Sequence, residues 1–287
     1  MDGPNVTEAF GDLKSSRALV VVHGGPGPAH YYLISLADLA SGPNAILVIF
    51  YGQIGCGGSS HLRDKPVEFW TPTLFMDELD NLLNHYGISD NFDLYGHSWG
   101  GIIGAQFVGT CQPKGLRRLV IANSPASLPL WEKSCNELLD GMPEDVQQIL
   151  REHEEAGTMD DKEYKDATGL YMAKHFIRVP LSDGMLKTLA AMAKDPTVTH
   201  ATLGQKQFKI EGSLKTYSVI SGLHKIAVPT LLLNGRYDEA SDACIMPFFE
   251  RIPKVRWYQF AESSHMPHLE ERDLVMKIVG EFLHVHD

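Results

Sequence analysis

The sequence predicts an α/β fold in which a mostly parallel sheet is flanked by helices and interrupted by an inserted helical segment. Short apolar runs rich in β-branched residues recur along the chain, and runs of this kind are typical of strands buried on both faces. They occupy residues 18–22, 45–51, 92–95, 116–122, 229–234 and 255–260. Helical patterns lie between them, and alternating strands and helices indicate parallel βαβ units.

Apolar spacing shows where helices lie between the strands. Leu79, Leu82, Leu83 and Tyr86 follow the i, i+3, i+4, i+7 pattern, which places one apolar stripe of a helix against a sheet. The pattern of residues 185–194 predicts a second helix, in the part of the chain where no strand pattern occurs.

The alternation of strands and helices stops in the middle of the chain, where the interval 126–228 shows helical signals only. Pro143, followed by two acidic residues, predicts the start of a helix that Gly157 ends. Open α/β folds bind ligands at the carboxyl edge of the sheet. We therefore expect residues 126–228 to form a helical cap over that edge, and residues 1–125 and 229–287 to form the core.

Composition excludes several classes of function. The 287 residues carry a formal net charge of −11, which repels the phosphate backbone of nucleic acids. No apolar stretch reaches the roughly 18 residues of a membrane span. No secretory signal is visible, so we expect a cytoplasmic location. The four cysteines are scattered without a C-x-x-C pair, which argues against a zinc ribbon and against a disulfide framework.

Thirteen histidines raise the question of a metal site. The closest pairs, His265 with His268 and His284 with His286, lack further ligands at a spacing that completes a tetrahedral site. We therefore expect no metal ion. The glycine motifs fit neither a phosphate loop nor a dinucleotide-binding loop, so we expect no nucleotide cofactor and no organic cofactor.

A candidate nucleophile lies in the pentapeptide Gly-His-Ser-Trp-Gly at residues 96–100, directly after the strand predicted at residues 92–95. A strand, a sharp turn and a helix in this order form the context of a nucleophile elbow. Glycines are required on both sides because the strained turn lifts the serine hydroxyl out of the sheet and leaves no space for Cβ atoms. The sequence therefore predicts that Ser98 is the nucleophile.

A serine hydroxyl is a weak nucleophile, and it needs a base that is itself oriented by an acid. Asp238 and His265 each follow one of the two last predicted strands. The resulting chain order, Ser98, Asp238, His265, is the order that a nucleophile-elbow fold uses. These three residues are therefore the predicted catalytic triad.

Two nearby residues compete for the roles of acid and base. Asp242 and His268 each lie within four residues of the chosen side chains. Both are expected inside the following helices rather than on the loops, and this placement favours Asp238 and His265.

The pentapeptide His-Gly-Gly-Pro-Gly at residues 23–27 follows the strand predicted at residues 18–22. A glycine loop at that strand end can present the Gly25 N–H toward the serine, and the Trp99 N–H would be the second donor. We therefore expect Gly25 and Trp99 to form an oxyanion hole. A phosphate-binding turn is the alternative, but the spacing does not match either phosphate-binding motif.

Together these motifs resemble the prolyl aminopeptidase (proline iminopeptidase) branch of the α/β-hydrolase superfamily. Further agreement lies in Gly-Cys-Gly at residues 55–57, Gly-Arg-Tyr-Asp-Glu at residues 235–239 and Ser-Ser-His-Met at residues 263–266, in the order and spacing of the family. The resemblance implies an α/β-hydrolase fold with a helical cap over a serine triad. It assigns the same catalytic roles that the residues themselves suggest.

The resemblance also implies how a substrate is held. Members of the family remove an N-terminal residue, often proline, and hold its free amine between carboxylates. Glu239 matches one of these acids, although an exposed acid at a helix N-terminus is an alternative interpretation. Gln207 occupies the cap position of the other acid. A neutral amide accepts a hydrogen bond but does not neutralise a buried ammonium.

Further departures from the family pattern lie outside the triad. Gly52 stands where the family carries an acid, and no tryptophan follows Arg178. Only 22 residues precede His23, which predicts that the family's first edge strand is absent. Since most of these changes touch substrate recognition, we expect the hydrolytic machinery to be kept and the aminopeptidase specificity to be altered.

The leading hypothesis is a serine hydrolase that forms an acyl-enzyme with a small amide, ester or N-terminal peptide bond. Its substrate is expected to be a small molecule or a short peptide, because a cap excludes large chains. The alternative is a specialised enzyme that uses the same triad for ester or lactone cleavage, acyl transfer or rearrangement. A catalytically silent binding protein is disfavoured because such a protein has no need of all three triad members.

Overall fold

The computed structural model describes residues 7–12, 17–42 and 45–284. Within these residues a single sheet contains seven strands in the order β1-β3-β2-β4-β5-β6-β7. All neighbouring strands pair in parallel except β1, which pairs antiparallel with β3. The strands are β1 (Thr7–Phe10), β2 (Ala18–Val22), β3 (Leu47–Tyr51), β4 (Phe92–His97), β5 (Leu116–Ala122), β6 (Thr230–Gly235) and β7 (Val255–Phe260).

The six predicted strands are all present, and β2, β5 and β7 have the predicted bounds. The expectation that the first edge strand is absent was wrong. Thr7–Phe10 forms an antiparallel edge strand, with Thr7 opposite Tyr51. The edge position explains the error, because this short strand is only partly buried and lacks the continuous apolar run of the inner strands.

Helices connect the strands and cover both faces of the sheet. The predicted helix around Leu79 is α1, and the one predicted at residues 185–194 lies within α6. Among the described residues, 3₁₀ segments lie at His30–Ala40, Val67–Phe69 and Ile220–Lys225. The α-helices are α1 (Pro72–His85), α2 (Trp99–Cys111), α3 (Leu128–Asp140), α4 (Glu144–Ala156), α5 (Lys162–His175), α6 (Asp183–Lys194), α7 (Thr197–Thr202), α8 (Asp242–Arg251), α9 (Pro267–Glu270) and α10 (Arg272–His284).

Among the described residues, the two largest apolar clusters pack against opposite faces of the sheet. Because side chains alternate along a strand, Val20 and Val22 of β2 point to the cluster on the α1 and α2 side. Leu19 and Val21 point to the opposite cluster, which the 30–40 segment and α10 cover. Burial of β2 on both faces explains why its sequence is a continuous apolar run.

The interval between β5 and β6 contains α3 to α7 and no strand among its residues. Its helices pack an apolar cluster of their own, which includes Leu139, Leu150, Tyr171 and Phe208. The helix predicted from Pro143 is α4, and it ends at Gly157 in the left-handed conformation that glycine adopts at low cost. No helix of residues 7–12, 17–42 and 45–284 combines the length and apolarity that crossing a membrane requires.

A buried carboxylate ties this helical interval to the rest of the chain. Asp195, which follows α6, accepts hydrogen bonds from His61 Nδ1 at 2.5 Å, Arg63 Nε at 2.9 Å and Thr197 Oγ1 at 2.6 Å. Burial opposes ionisation, but these bonds outweigh that penalty and lower the pKa of Asp195. Asp195 therefore stays charged and fixes the end of α6 to the loop that follows β3.

We expect Asp195→Ala to lower the free energy of unfolding by about 2 kcal/mol, because it removes several hydrogen bonds to a charged group. Cleavage within residues 126–228 by a protease should accelerate at the same time. Urea unfolding and limited proteolysis measure the two effects, with Asp64→Ala at an exposed aspartate as the control. Equal stability and proteolysis of the two variants would contradict the role of Asp195.

Candidate active site

Ser98 lies on a sharp turn between β4 and α2, at the carboxyl edge of the sheet. Its backbone angles, φ 54° and ψ −120°, are strained for a residue with a side chain. A Cβ at Gly96 would lie 2.3 Å from the carbonyl oxygen of Gly100, and one at Gly100 would lie 2.1 Å from that of Val22. The turn therefore requires both glycines, as the elbow motif predicts.

His265 and Asp238 form a buried pair beside the elbow. The Nδ1–H of His265 donates to Asp238 Oδ1 at 2.7 Å. The second carboxylate oxygen accepts from the side-chain amide of Asn123 at 2.6 Å, and Asp238 Oδ1 also accepts from the Ala240 N–H at 2.8 Å. Both carboxylate oxygens of Asp238 thus accept hydrogen bonds that orient the group toward the imidazole.

Ser98 and His265 line the same cavity, which has a volume of about 260 Å³. In the part of the chain that the structure describes, no hydrogen bond joins the Ser98 hydroxyl to His265. Hydrogen bonds of this kind are often long in a free enzyme and shorten when a substrate binds. Ser98 and the His265–Asp238 pair therefore lie at one cavity, and only the hydrogen bond between Ser98 and His265 is not formed.

The glycine loop after β2 lies against the nucleophile. Gly25 has a φ of 122°, which disfavours any residue with a side chain. Both polar groups of Gly24 are occupied, since its N–H donates to Tyr32 Oη at 2.8 Å and its carbonyl accepts from His23 Nδ1 at 2.8 Å. Within the described residues the N–H groups of Gly25 and Trp99 donate to no protein acceptor, and both residues line the cavity.

Glu239 is a buried cavity residue rather than an exposed helix-terminal acid. Its Oε1 lies 4.0 Å from His265 Nε2, and its Oε2 has no hydrogen-bond partner among the described residues. Burial raises the pKa of Glu239 to about 7, although nearby His265 opposes the shift and Asp238 adds to it. The charge of this carboxyl therefore changes near neutral pH.

Gln207 lines the cavity from the loop that follows α7. Its backbone N–H donates to Glu154 Oε1 at 2.7 Å, and that carboxylate also accepts from the Phe208 N–H and the Tyr164 hydroxyl. Glu154 therefore holds the segment that presents Gln207. Glu239 is the only acidic residue among the described residues that line this cavity.

Gly52 is not among the residues that line the cavity. A Cβ there would lie 2.8 Å from Ser59 Oγ, which donates to the Gly52 carbonyl at 2.7 Å. The neighbouring Gln53 instead bridges His23 and Trp99, donating to the His23 carbonyl and accepting from the indole N–H. The missing acid at position 52 therefore does not remove a charge from the cavity wall.

Asp242 and His268, the competing candidates for acid and base, make their hydrogen bonds outside the cavity. Asp242 is the first residue of α8 and accepts from the Asn234 side chain at 2.9 Å. His268 lies in α9, and its Nε2–H donates to the carbonyl of Tyr32 at 3.2 Å. Neither lines the cavity, and both lie in the helices in which the sequence places them.

Most of the cavity wall is apolar and comes from both the sheet edge and the helical interval. The helices α3, α5 and α6 contribute a large share of it. Groups of three or more His, Cys, Asp or Glu side chains placed to hold a metal ion do not occur in the part of the chain that the structure describes. The apolar lining consists mainly of Leu128, Trp131, Met172, Phe176, Met185, Leu189, Met192, Leu203 and Met266.

Sequence reasoning missed many residues of the site, among them Asn123, Tyr32 and Trp131. Asn123, which supports Asp238, directly follows β5, and its place at the carboxyl edge next to the elbow strand was a usable signal. Tyr32 and Trp131 left no such signal. Tyr32 lies in the 3₁₀ segment His30–Ala40, and Trp131 follows the apolar pattern of a helix, so only the folded structure shows that both reach the cavity.

Comparisons with known proteins agree with this geometry. A family model described as alpha/beta hydrolase fold matches residues 17–272. A proline iminopeptidase of Saccharolobus solfataricus is 33% identical over 270 residues, which cover 94% of this chain and 85% of that protein. The crystal structure of VinJ has a TM-score of 0.94 at 39% identity, covering 98% of this chain and 97% of that one.

The crystal structure of a proline iminopeptidase from Mycobacterium smegmatis is similarly close, with a TM-score of 0.91 and 37% identity over 99% of this chain and 95% of that chain. The chain therefore belongs to the α/β-hydrolase fold family, and within it to the prolyl aminopeptidase-like enzymes. The predicted resemblance, fold class and hydrolase activity are confirmed.

If Ser98 is the nucleophile, Ser98→Ala should keep the fold but lose turnover by roughly 10⁴-fold or more, since a triad acts as one unit. A fluorophosphonate probe should label the wild-type protein and fail to label the variant. Thermal unfolding provides the control for folding. Undiminished labelling of Ser98→Ala would place the nucleophile elsewhere.

Proposed function

We propose that this chain is a serine hydrolase in which Ser98, His265 and Asp238 form the catalytic triad. The observation that carries the proposal is that a serine on a strained elbow and a carboxylate-bound imidazole line one cavity. The order of the three residues along the chain supports the same assignment.

In the proposed mechanism His265 Nε2 removes the proton from the Ser98 hydroxyl as the oxygen attacks the substrate carbonyl carbon. The carbonyl oxygen becomes an oxyanion, and the unoccupied N–H groups of Gly25 and Trp99 stabilise it. His265 then gives its proton to the leaving group, and an acyl-enzyme forms. His265 then removes a proton from water as the water oxygen attacks the acyl carbon, and it returns that proton to the Ser98 oxygen when the ester bond breaks and the acid leaves.

Asp238 sets the protonation of the base. By accepting the Nδ1–H, it leaves the Nε2 lone pair of His265 facing the cavity. Burial alone would lower the pKa of His265, but the Asp238 carboxylate outweighs that effect and raises it. Asp238 therefore stabilises the imidazolium that forms during the attack.

We propose that residues 126–228 act as a cap on a core formed by residues 1–125 and 229–287. Cavity residues such as Trp131, Phe176 and Leu189 come from this interval, which supports the division. A cavity of about 260 Å³ suits a small molecule or the end of a short peptide. The relatives named proline iminopeptidases make an N-terminal prolyl bond the first substrate to test.

Glu239 is the proposed site for a substrate amine, and Gln207 weakens that site. An ammonium that enters this apolar cavity loses hydration worth several kcal/mol, which carboxylates must offset. Glu239 is the only carboxyl among the described lining residues, and burial disfavours its charge. The same observation favours the second candidate function, cleavage of a neutral apolar ester or amide.

Other sequence-based expectations stay predictions. They are the cytoplasmic location and the absence of a nucleic-acid partner and of a metal or organic cofactor. The proposed base, acid and oxyanion donors supply each role that acyl transfer needs.

We expect the wild-type protein to cleave proline naphthylamide weakly and a neutral apolar ester or amide well. Gln207→Glu should raise kcat/KM for proline naphthylamide by about tenfold or more, because a second carboxylate helps to offset the lost hydration of the ammonium. The kcat/KM for N-acetylproline naphthylamide should not rise. Gln205→Glu, which adds the same charge at an exposed position of the same loop, is the matched control.

Efficient wild-type cleavage of proline naphthylamide, equal to that of the best neutral ester, would contradict the role assigned to Gln207. It would favour an unmodified aminopeptidase. Equal improvement by Gln205→Glu would show that charge near the loop, rather than a carboxylate in the cavity, is responsible.

The charge of Glu239 should appear in the pH dependence of substrate choice. A carboxyl with a pKa of about 7 is neutral below that pH and charged above it, so it holds an ammonium better as the pH rises. The ratio of kcat/KM for proline naphthylamide to that for its N-acetyl analogue should rise about tenfold between about pH 6 and pH 8. His265 affects both substrates and cancels in the ratio.

The matched variant for this measurement is Glu239→Gln. Its ratio should stay flat over the same range, because the amide does not ionise. A wild-type ratio that is equally flat would show that Glu239 does not hold the substrate amine.

A further inference from the structure

His97, the residue before the candidate nucleophile, belongs to a chain of hydrogen bonds that joins three loops of the site. Its ring is fully buried. Its Nε2 lies 2.9 Å from the carbonyl oxygen of His265, and its Nδ1 lies 2.8 Å from Tyr32 Oη. The same hydroxyl lies 2.8 Å from the amide nitrogen of Gly24.

The chemistry of the partners fixes the direction of each hydrogen bond. A carbonyl oxygen only accepts, so the Nε2 of His97 carries the proton. Burial, together with the neighbouring His265 and His268, lowers the pKa of His97 well below its usual value, so its ring is neutral. Nδ1 therefore accepts the proton of the Tyr32 hydroxyl, and the Tyr32 oxygen accepts the N–H of Gly24.

Tyr32 thus engages the glycine loop at the point where the loop meets the nucleophile. A Cβ at Gly24 would lie 2.8 Å from Tyr32 Oη and 2.9 Å from the Cβ of Ser98, so the loop is packed between these two side chains. Because Tyr32 occupies the Gly24 N–H, the next amide, that of Gly25, is the first in the loop that is available to an oxyanion.

The three ends of this chain of hydrogen bonds are the three parts that acyl transfer needs. Gly24 leads to the oxyanion donor Gly25, His97 precedes Ser98, and the carbonyl of His265 belongs to the base itself. Small displacements among such groups cost large factors in rate. The hydroxyl of Tyr32, which lies outside the motifs recognised in the sequence, connects these three parts.

We propose that Tyr32 is a positioning residue for the hydrolytic reaction, and that its hydroxyl sets the placement of the Gly25 amide relative to Ser98 and His265. The inference rests on the proposed serine-hydrolase function. It adds a residue that acts through Gly24 and His97 rather than on the substrate.

The test is Tyr32→Phe, which removes only the hydroxyl. The probe is a fluorophosphonate: the serine oxygen attacks its phosphorus, His265 takes the serine proton, fluoride leaves, and the phosphoryl oxygen occupies the oxyanion hole. We expect the maximal inactivation rate and kcat for a nitrophenyl ester to fall by about 10- to 100-fold. KM and the half-saturating probe concentration should change less than about threefold, because ground-state binding is kept.

Tyr51→Phe is the matched control. Tyr51 is also fully buried, but its hydroxyl has no hydrogen-bond partner among the described residues. Removing that hydroxyl should leave the inactivation rate within about twofold of the wild type. This comparison separates the effect of losing any buried hydroxyl from the effect of losing the hydrogen bonds that Tyr32 makes.

His97→Gln interrupts the same chain at its centre and serves as the second variant. Because both changes break one connection, the double variant should be little slower than either single variant, whereas independent effects would multiply. Thermal unfolding of each variant corrects the rates for the folded fraction.

The outcomes separate the two proposals. If the probe does not label wild-type Ser98, the proposed function fails. If it labels the wild type, but folded Tyr32→Phe reacts as fast as Tyr51→Phe, the positioning role of Tyr32 is overturned. Multiplicative losses in the double variant, or a fall caused by weaker probe binding alone, would overturn it as well.

Discussion

The strained backbone at Ser98 is the constraint on which the rest of the site depends. A side-chain-bearing residue held in such a conformation costs about 1 to 3 kcal/mol, which the surrounding structure must offset. Here the Ser98 N–H donates to the Ala122 carbonyl of β5 at 2.8 Å, and the Ser98 carbonyl accepts from the Gly101 N–H at 2.9 Å. The elbow is thus anchored to the neighbouring strand on one side and to α2 on the other.

The parallel sheet determines what surrounds the elbow. The carboxyl ends of β2, β4, β5 and β6 meet at one edge, so the residues that follow each strand are brought together. These four segments are the glycine loop after β2, the nucleophile after β4, Asn123 after β5 and the loop after β6 that leads to Asp238. Their proximity is therefore a property of the topology, while their orientation depends on hydrogen bonds such as that between Asn123 and Asp238.

The sequence was sufficient to predict the inner strands, the elbow, and the places of Asp238 and His265, because each has a strong local signature. The edge strand at Thr7–Phe10 was missed since its partial burial leaves no apolar run. The surroundings of Glu239 could not be predicted either, because its burial comes from helices far away in sequence. Likewise, only the folded chain shows that Gln207 lines the cavity while Gly52 does not.

In the proposed mechanism, acyl transfer proceeds through an ester on Ser98. Rapid acid quenching of the protein during turnover of a nitrophenyl ester, followed by peptide mapping in a mass spectrometer, tests it directly. We expect the acyl group on the peptide that contains Ser98 and on no other peptide. An acyl group on a different side chain, such as the exposed thiol of Cys111, with Ser98 unmodified during turnover, would show that Ser98 is not the nucleophile.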